Sequence, residues 1–253
     1  MKISVITVAY QSAKTLEETM QSVLGQTYAD VEYLVVDGGS TDGTVALLRQ
    51  YEKAFGGRMR WVSEPDQGIY DAMNKGIRMA SGELVGILNS DDFFAVPDVL
   101  ERVAAAFAEE PALEGVYGDV RYVDPVHTGR TVRHYSSAGF TREKLKYGLM
   151  PAHPSFYARR ECFEKHGLYD TRYRISADYD MFVRLIWNGR IRTRYLPFDL
   201  VTMRNGGASS SGFAARRQIM REHLQSVKAH GLPSNFLLQS LRYFGKIMDL
   251  LKK

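Results

Sequence analysis

The sequence predicts an α/β fold, a mainly parallel sheet flanked by helices with a C-terminal helical appendage. Three observations lead there. Apolar, β-branched runs alternate with segments of helical period, the pattern of strands connected through crossover helices. Small polar and acidic residues follow directly after several of those runs, where an open parallel sheet binds its ligands. The 253 residues, 45% hydrophobic and 25% charged, suit one large domain with a sizeable core.

The strands expected are Ile3–Ala9, Val31–Val36, Met59–Ser63, Leu84–Leu88 and Gly115–Val123. Between the first two, Leu16, Met20, Val23 and Leu24 form a one-faced stripe, with Ser12 or Thr15 available to cap the helix. Helices are expected near Thr44–Phe55, Tyr70–Ala80 and Asp98–Ala108. After Asp124 the rhythm breaks. Val126–Gly139 reads as a hairpin or a loop, Pro154–Ala158 as a strand and Tyr179–Asn188 as a helix. A Gly/Ser loop over Arg204–Ser211 precedes helical stretches near 213–230 and 234–251, separated at Pro233. These divide the chain into a domain over 1–212, with halves 1–125 and 126–212, and amphipathic helices over 213–253.

Cys162 is the one cysteine, so an internal disulfide is excluded and a reducing compartment is expected. The N-terminal apolar run is too short for a secretory signal, and no stretch reaches the roughly 18 apolar residues of a spanning helix. The expectation is a cytoplasmic protein. The net charge of +4 conceals an asymmetry: residues 1–125 carry 10 basic against 20 acidic side chains, and residues 126–253 carry 23 against 9. An acidic half suits cation and hydroxyl ligands, and a basic half suits phosphates or an anionic surface; simple mutual complementarity is the alternative. The basic residues are dispersed, and no nucleic-acid-binding module is recognisable, so no nucleic-acid partner is expected.

Asn89-Ser-Asp-Asp92 is the sharpest feature. Adjacent carboxylates after a buried strand repel unless a cation or donor groups compensate. A hard divalent cation such as Mg2+ takes carboxylate oxygens and completes its shell with water and phosphate. One aspartate could hold the metal while its neighbour accepts from a ribose hydroxyl; the alternative is an acidic turn near a helix N-terminus. Asp37-Gly-Gly-Ser-Thr-Asp-Gly-Thr44 is a glycine-rich turn before a helix, in which Asp37 could bind a base imide or a ribose hydroxyl, or Asp42 could simply cap a tight turn. It is not the dinucleotide fingerprint.

Thr7-Val-Ala-Tyr10, Asp37–Thr44, the Gly68–Gly82 helix with Asn74-Lys-Gly76, and Asn89–Asp92 occur in an order that resembles glycosyltransferase family 2. Glu64–Ile77 resembles bacterial colanic-acid, O-antigen and exopolysaccharide transferases within it. The resemblance runs over about residues 2–205 and implies an inverting enzyme of the GT-A nucleotide-diphospho-sugar fold. It places Thr7, Ala9, Tyr10 and Asp37 at the nucleoside, adds Asp66, Asn74 and Asp91 to the donor-binding set, and gives Asp91 and Asp92 to a Mg2+ or Mn2+ ion. Asn89 stands where the family has an aspartate, and Met73 where an arginine is frequent. Ile175-Ser-Ala-Asp178-Tyr-Asp180 resembles the family's base segment, with Ala177 in place of its glutamate, and implies Asp178 as the catalytic base. Without the resemblance, Asp178 reads equally as an N-cap.

His153, Arg159, Asp180 and Arg204 are candidate acceptor or diphosphate contacts, arginine being suited to bidentate phosphate binding. In the tail, Leu237, Leu241, Phe244, Met248 and Leu251 share one face among basic residues. Such a helix docks on an anionic membrane, on its own domain or on a second subunit. The expected function is transfer of a hexose or N-acetylhexosamine from a nucleotide-diphosphate sugar, UDP-linked, to a glycan or lipid-linked acceptor at the inner membrane face, in cell-surface polysaccharide synthesis. The rivals are a sugar-nucleotide nucleotidyltransferase, whose early basic Gly-rich loop is absent after Ala9, and a non-catalytic sugar-nucleotide-binding scaffold.

Overall fold

A computed structural model describes residues 1–206 and 212–242. Its first half follows the sequence pattern closely: β1 (Ile3–Ala9), α1 (Leu16–Leu24), β2 (Val31–Asp37), α2 (Thr44–Glu52), β3 (Met59–Ser63), α3 (Ile69–Met79) and β4 (Leu84–Ile87). These four strands are parallel in the order β3-β2-β1-β4. Alternation along them makes two cores. Ile6, Val8, Leu34 and Val36 pack with Met73 and Ile77 of α3, while Ile3, Val5, Tyr33 and Val35 pack with Leu16 and Met20 of α1. The close seating of α3 on β1 depends on Gly76, where a Cβ would lie 2.4 Å from Ile6 Cγ2.

Beyond β4, where the sequence rhythm also breaks, the sheet becomes mixed. β5 (Asp92–Phe94), β6 (Gly115–Val123), β7 (Thr131–Tyr135), β8 (Tyr157–Arg159) and β9 (Thr193–Arg204) continue it in the order β4-β8-β6-β9-β5, and β7 pairs with β6. The β4–β8, β8–β6, β6–β7 and β5–β9 pairs are antiparallel; β6–β9 is parallel. The segment between Asp124 and Gly139 resolves as a hairpin arm. β9 escaped the sequence reading because its burial does not alternate, and its pairing with β6 shifts register around Asp119.

α4 (Val99–Glu109) covers the α1 face, and α5 (Arg160–His166) follows β8. α6 (Ala177–Phe182) runs directly into a π-helical stretch, Val183–Asn188. α7 (Gly212–Ala229) is no loose appendage. Glu222, His223, Ser226 and Val227 are buried, and the His223 ring stacks on Tyr179 of α6 at 3.7 Å between centroids. Residues 236–242 are helical too, with Gln239 buried and donating to Tyr179 Oη at 3.1 Å. Most of the Gly/Ser loop, and Phe244, Met248 and Leu251 of the tail, lie outside the described residues. Among the described residues, no helix is long and apolar enough to cross a membrane.

Candidate functional site

The carboxyl ends of β1, β2 and β4 are laced into one rim by hydroxyls. Gly38 N–H donates to the Ala9 carbonyl at 2.8 Å, and Gln11 N–H to Ser40 Oγ at 2.7 Å. Ser12 N–H donates to Thr44 Oγ1 at 2.9 Å, and the Ser12 and Ser90 hydroxyls meet at 2.9 Å. The β1 end is thereby tied to the ends of both neighbouring strands, so a ligand crossing the rim meets a surface whose loops brace each other.

Within that rim, Asp37 has no exposed surface. Its Oδ2 accepts from the N–H groups of Gly39 and Ser40 and from Ser63 Oγ, and its Oδ1 from Ser40 Oγ. As placed, the Asp37 carboxylate is engaged by its own turn and by Ser63. Thr7 and Ala9 are also buried, and Thr7 Oγ1 accepts from Tyr33 Oη at 3.0 Å. They form the floor. The accessible wall is Tyr10, 66% exposed, and half-buried Asp66. Both close on Gly38: a Cβ there would lie 2.5 Å from Asp66 Oδ2 and 3.3 Å from the Tyr10 ring. The absence of a side chain at position 38 lets both groups come this close to the backbone.

At the β4 end, Asn89 Nδ2 donates to Asp92 Oδ2 at 3.0 Å, while Asn89 Oδ1 is buried with no hydrogen-bond partner. Burial raises the Asp92 carboxyl well above the usual carboxylate range, and the neighbouring Asp91 charge adds to this against the lowering effects of Asn89 and Arg204. Burial also raises Asp91. An orphaned buried oxygen beside two carboxyl groups that resist ionisation fits a divalent cation, which would satisfy the oxygen and hold the acids ionised. Arg204 closes this group from β9. Its guanidinium donates to the Asp91 carbonyl oxygen and to the Glu18 carboxylate of α1, over the Phe93 ring. Its guanidinium is already engaged by these partners.

A second group with metal-ligand geometry was not anticipated: ligand atoms of Asp119, His134 and Asp199 lie within 4.8 Å of one another. Asp199 is four residues before Met203, the β9 partner of Asp92, so the group lies about 13 Å along the strand from the acidic pair. Protein donors already occupy Asp119: Ser137 N–H and the Tyr195 and Ser136 hydroxyls.

Asp178 opens α6, half-buried. Burial pushes its carboxyl up to about 6, a nearby Glu222 charge adds to the effect, and the Tyr179 N–H opposes it. Tyr70 near the start of α3 donates to the Ile175 carbonyl at 2.5 Å and stacks on Tyr169 at 5.6 Å. Since α3 follows the Asp66 loop at the carboxyl end of β3, this contact brings Asp178 to the same end of the sheet as the rim.

Four candidates take structural places instead. Arg159 pairs in register with Leu84 at the opposite, amino-terminal end of β4 and donates to the carbonyls of Leu113 and Pro111, away from the acidic rim. Asn74 is buried and exchanges two 2.8 Å hydrogen bonds with the Tyr169 backbone, so it fixes that loop. Burial lowers His153 to about 4, leaving it neutral near pH 7 and unable to offset phosphate charge; its Nε2 lies 2.6 Å from Tyr169 Oη. Asp180, 1% exposed, faces Arg184, Ser226 and His230. The residues missed by the sequence reading are Tyr70, Tyr169 and Glu222. Of these, Tyr70 left a trace there, inside the Glu64–Ile77 segment.

The family model described as Glycosyl transferase family 2 matches residues 4–168. The "PGL/p-HBAD biosynthesis glycosyltransferase" of Mycobacterium bovis (strain BCG / Pasteur 1173P2) is 31% identical over 218 residues, covering 86% of this chain and 82% of the relative. Among solved structures, S. aureus TarS 1-349 in complex with UDP-GlcNAc superposes with a TM-score of 0.67 at 21% identity, over 90% of this chain and 66% of that one. This chain thus spans less than two thirds of that structure. The mannosyltransferase PcManGT from Pyrobaculum calidifontis, in complex with GDP-Man and Mn2+, gives 0.62 at 18% identity, over 98% and 80%. At these identities the structural likeness bears on fold alone, and it is the GT-A fold.

Proposed function

From membership of glycosyltransferase family 2, to which this chain belongs, we propose inverting, metal-dependent transfer of a hexose or N-acetylhexosamine from a UDP-sugar to a hydroxyl of a glycan or lipid-linked acceptor. One observation carries the reading. A single rim holds a cation-fitting group, Asn89 with Asp91 and Asp92, and separately a carboxyl pushed up to about 6, Asp178. A cation-holding group for the diphosphate and a separate carboxyl for the acceptor proton are what direct displacement requires.

Asp91 and Asp92 would hold the cation, with the unpartnered Asn89 Oδ1 as a further candidate ligand. The ion would neutralise the diphosphate as it leaves. Tyr10 and Asp66 flank the Gly38 crevice for the nucleoside. Asp178, ionised above about pH 6, takes the proton of the acceptor hydroxyl as its oxygen attacks the anomeric carbon. The new C–O bond forms opposite the breaking one, whose electron pair departs on the nucleoside diphosphate. Direct displacement needs one base and a stabilised leaving group, hence inversion.

The names of the relatives support the finer choices. A PGL/p-HBAD glycosyltransferase fits a lipid-linked acceptor and a role at the cell surface, the UDP-GlcNAc complex of TarS fits a UDP-sugar, and the Mn2+ of PcManGT fits a cation. Exposed Phe236, Leu237 and Leu241 support docking at the inner membrane face. The test is a thermal-shift panel of UDP-, GDP-, dTDP- and CMP-sugars with and without Mn2+, followed by transfer assays on the best binder. A matching donor at a hundredfold excess over its dissociation constant stabilises by about 2.7 kcal/mol. Stabilisation equal with and without the ion overturns metal dependence, and binding without transfer to any glycan or glycolipid acceptor leaves a scaffold.

A further inference from the structure

Asp178 stands two residues beyond a turn, Arg174-Ile175-Ser176, that helices distant in sequence hold from two sides. Glu222 of α7, 2% exposed, accepts the backbone N–H groups of Arg174, Ile175 and Ser176 at 2.8, 3.0 and 2.8 Å. Ser176 is the N-cap of α6 and makes no side-chain cap of its own; the carboxylate 46 residues away holds its backbone N–H instead. From the other side, the Tyr70 hydroxyl of α3 donates to the Ile175 carbonyl. One peptide stretch therefore has its N–H groups anchored to α7 and a carbonyl anchored to α3. Immediately beyond Asp178, Ser226 and His230 extend the α7 contact to Asp180.

We propose that Glu222 and Tyr70 are positioning residues for the base: by clamping the turn 174–176 they set where the Asp178 carboxylate meets the acceptor hydroxyl. The inference rests on the reading of Asp178 as the base. Glu222 does this only as a carboxylate, since three N–H donors need acceptor oxygens on both arms. The hydrogen bonds from Gln218 and the three N–H groups outweigh burial and keep it ionised. Its charge also acts on Asp178. The titratable groups facing Asp178 are Tyr70 from α3, Tyr169 from the loop before α6 and Glu222 from α7, and Glu222 is the anion among them. Asp180 on the same helix is turned to Arg184 and His230.

The test compares full-length Glu222→Gln, Tyr70→Phe and Asp178→Asn with the native chain, reading kcat, donor KM, the pH profile of kcat and thermal melting. A glutamine turns an NH2 group against at least one of the three N–H donors and removes the charge. Its kcat should fall by about ten- to hundredfold, as a small misplacement of a reacting group does. Donor KM should hold, and the acid limb of the profile should move to lower pH because the facing anion is gone. Tyr70→Phe should lower kcat with the acid limb in place. Native kcat and an unmoved limb in a folded Glu222→Gln overturn the proposal, whatever happens to melting. If Glu222→Gln does not fold, Tyr70→Phe decides: lowered kcat at constant donor KM supports the clamp, and native kcat overturns it. Asp178→Asn separates the two readings. An inactive Asn variant beside native clamp variants sinks only the clamp, whereas an active one removes the base on which it rests.

Discussion

Asn89 donates to Asp92 through Nδ2 at 3.0 Å while its own Oδ1 is buried and unpartnered. The amide thus stabilises one acid while its own oxygen stays buried without a partner. Unpaired buried acceptors cost about 1–3 kcal/mol, so a cation there offsets a penalty the fold already carries. Asp92→Ala should weaken Mn2+-dependent UDP binding by at least tenfold, about 1.4 kcal/mol, in calorimetry. Asn89→Asp adds a third acid: melting should fall without metal, and the rise on adding Mn2+ should exceed the native one. Unchanged UDP affinity in Asp92→Ala would place the ion elsewhere, with Asp119, His134 and Asp199 next to be mutated.

Asp178→Asn keeps size and hydrogen-bonding capacity but cannot take a proton. Transfer should drop by about 10²–10⁴-fold with donor affinity unchanged. In the native protein, kcat should be lost as pH falls through about 6, where the carboxyl protonates. The stability sign is opposite to the catalytic one. A folded-state value raised above the ordinary one means that ionised Asp178 costs stability above about pH 6. The Asn variant should therefore melt higher than the native chain at neutral pH, and a lower melting point would show that the carboxylate holds the fold together.

Asp180 faces Arg184 at 2.9 Å, with Ser226 and His230 each at 2.8 Å. Removing one partner of a buried ion pair typically costs about 3–5 kcal/mol, so Asp180→Ala should lose that much in denaturant unfolding. Donor affinity of the folded fraction should stay native. A stable Ala variant without turnover would instead return Asp180 to the acceptor site.

Glu32 knots the amino-terminal end of the sheet. It accepts from Ser4 Oγ and Ser81 N–H at 2.5 Å, from Gly82 N–H at 2.9 Å and from Arg60 at 3.0 Å. Burial alone would raise it, but these donors prevail and hold it down at about 2. A depressed folded value stabilises the protein above the unfolded value near 4.5 and loses that contribution as pH falls toward 2. Glu32→Gln should melt lower at neutral pH and show a flatter loss of stability between those limits. Parallel melting curves for both proteins across that window would refute the assignment.

The sequence by itself determined the first half of the fold and the rim. Alternating apolar runs must bury both faces of a parallel sheet, and short crossover connections leave each strand's carboxyl end pointing the same way. Asp37, Asp66 and Asn89–Asp92 had to arrive near one another for that reason, whereas Asp178 was singled out only through the resemblance of the segment around it. Tertiary structure decided what each group does there. Asp37 turns into its own loop, Arg159 lies at the other end of β4, and Asn74 grips the Tyr169 backbone, because hydrogen-bond partners of buried groups come from whichever chain packs against them. The mixed sheet beyond β4 depends on long-range pairing of β9, which no local period announces. Most of all, Glu222 meets the turn before Asp178 across more than forty residues. No spacing along a chain encodes that contact; it exists only because α7 packs its buried acid against the backbone N–H groups of the turn that leads into α6.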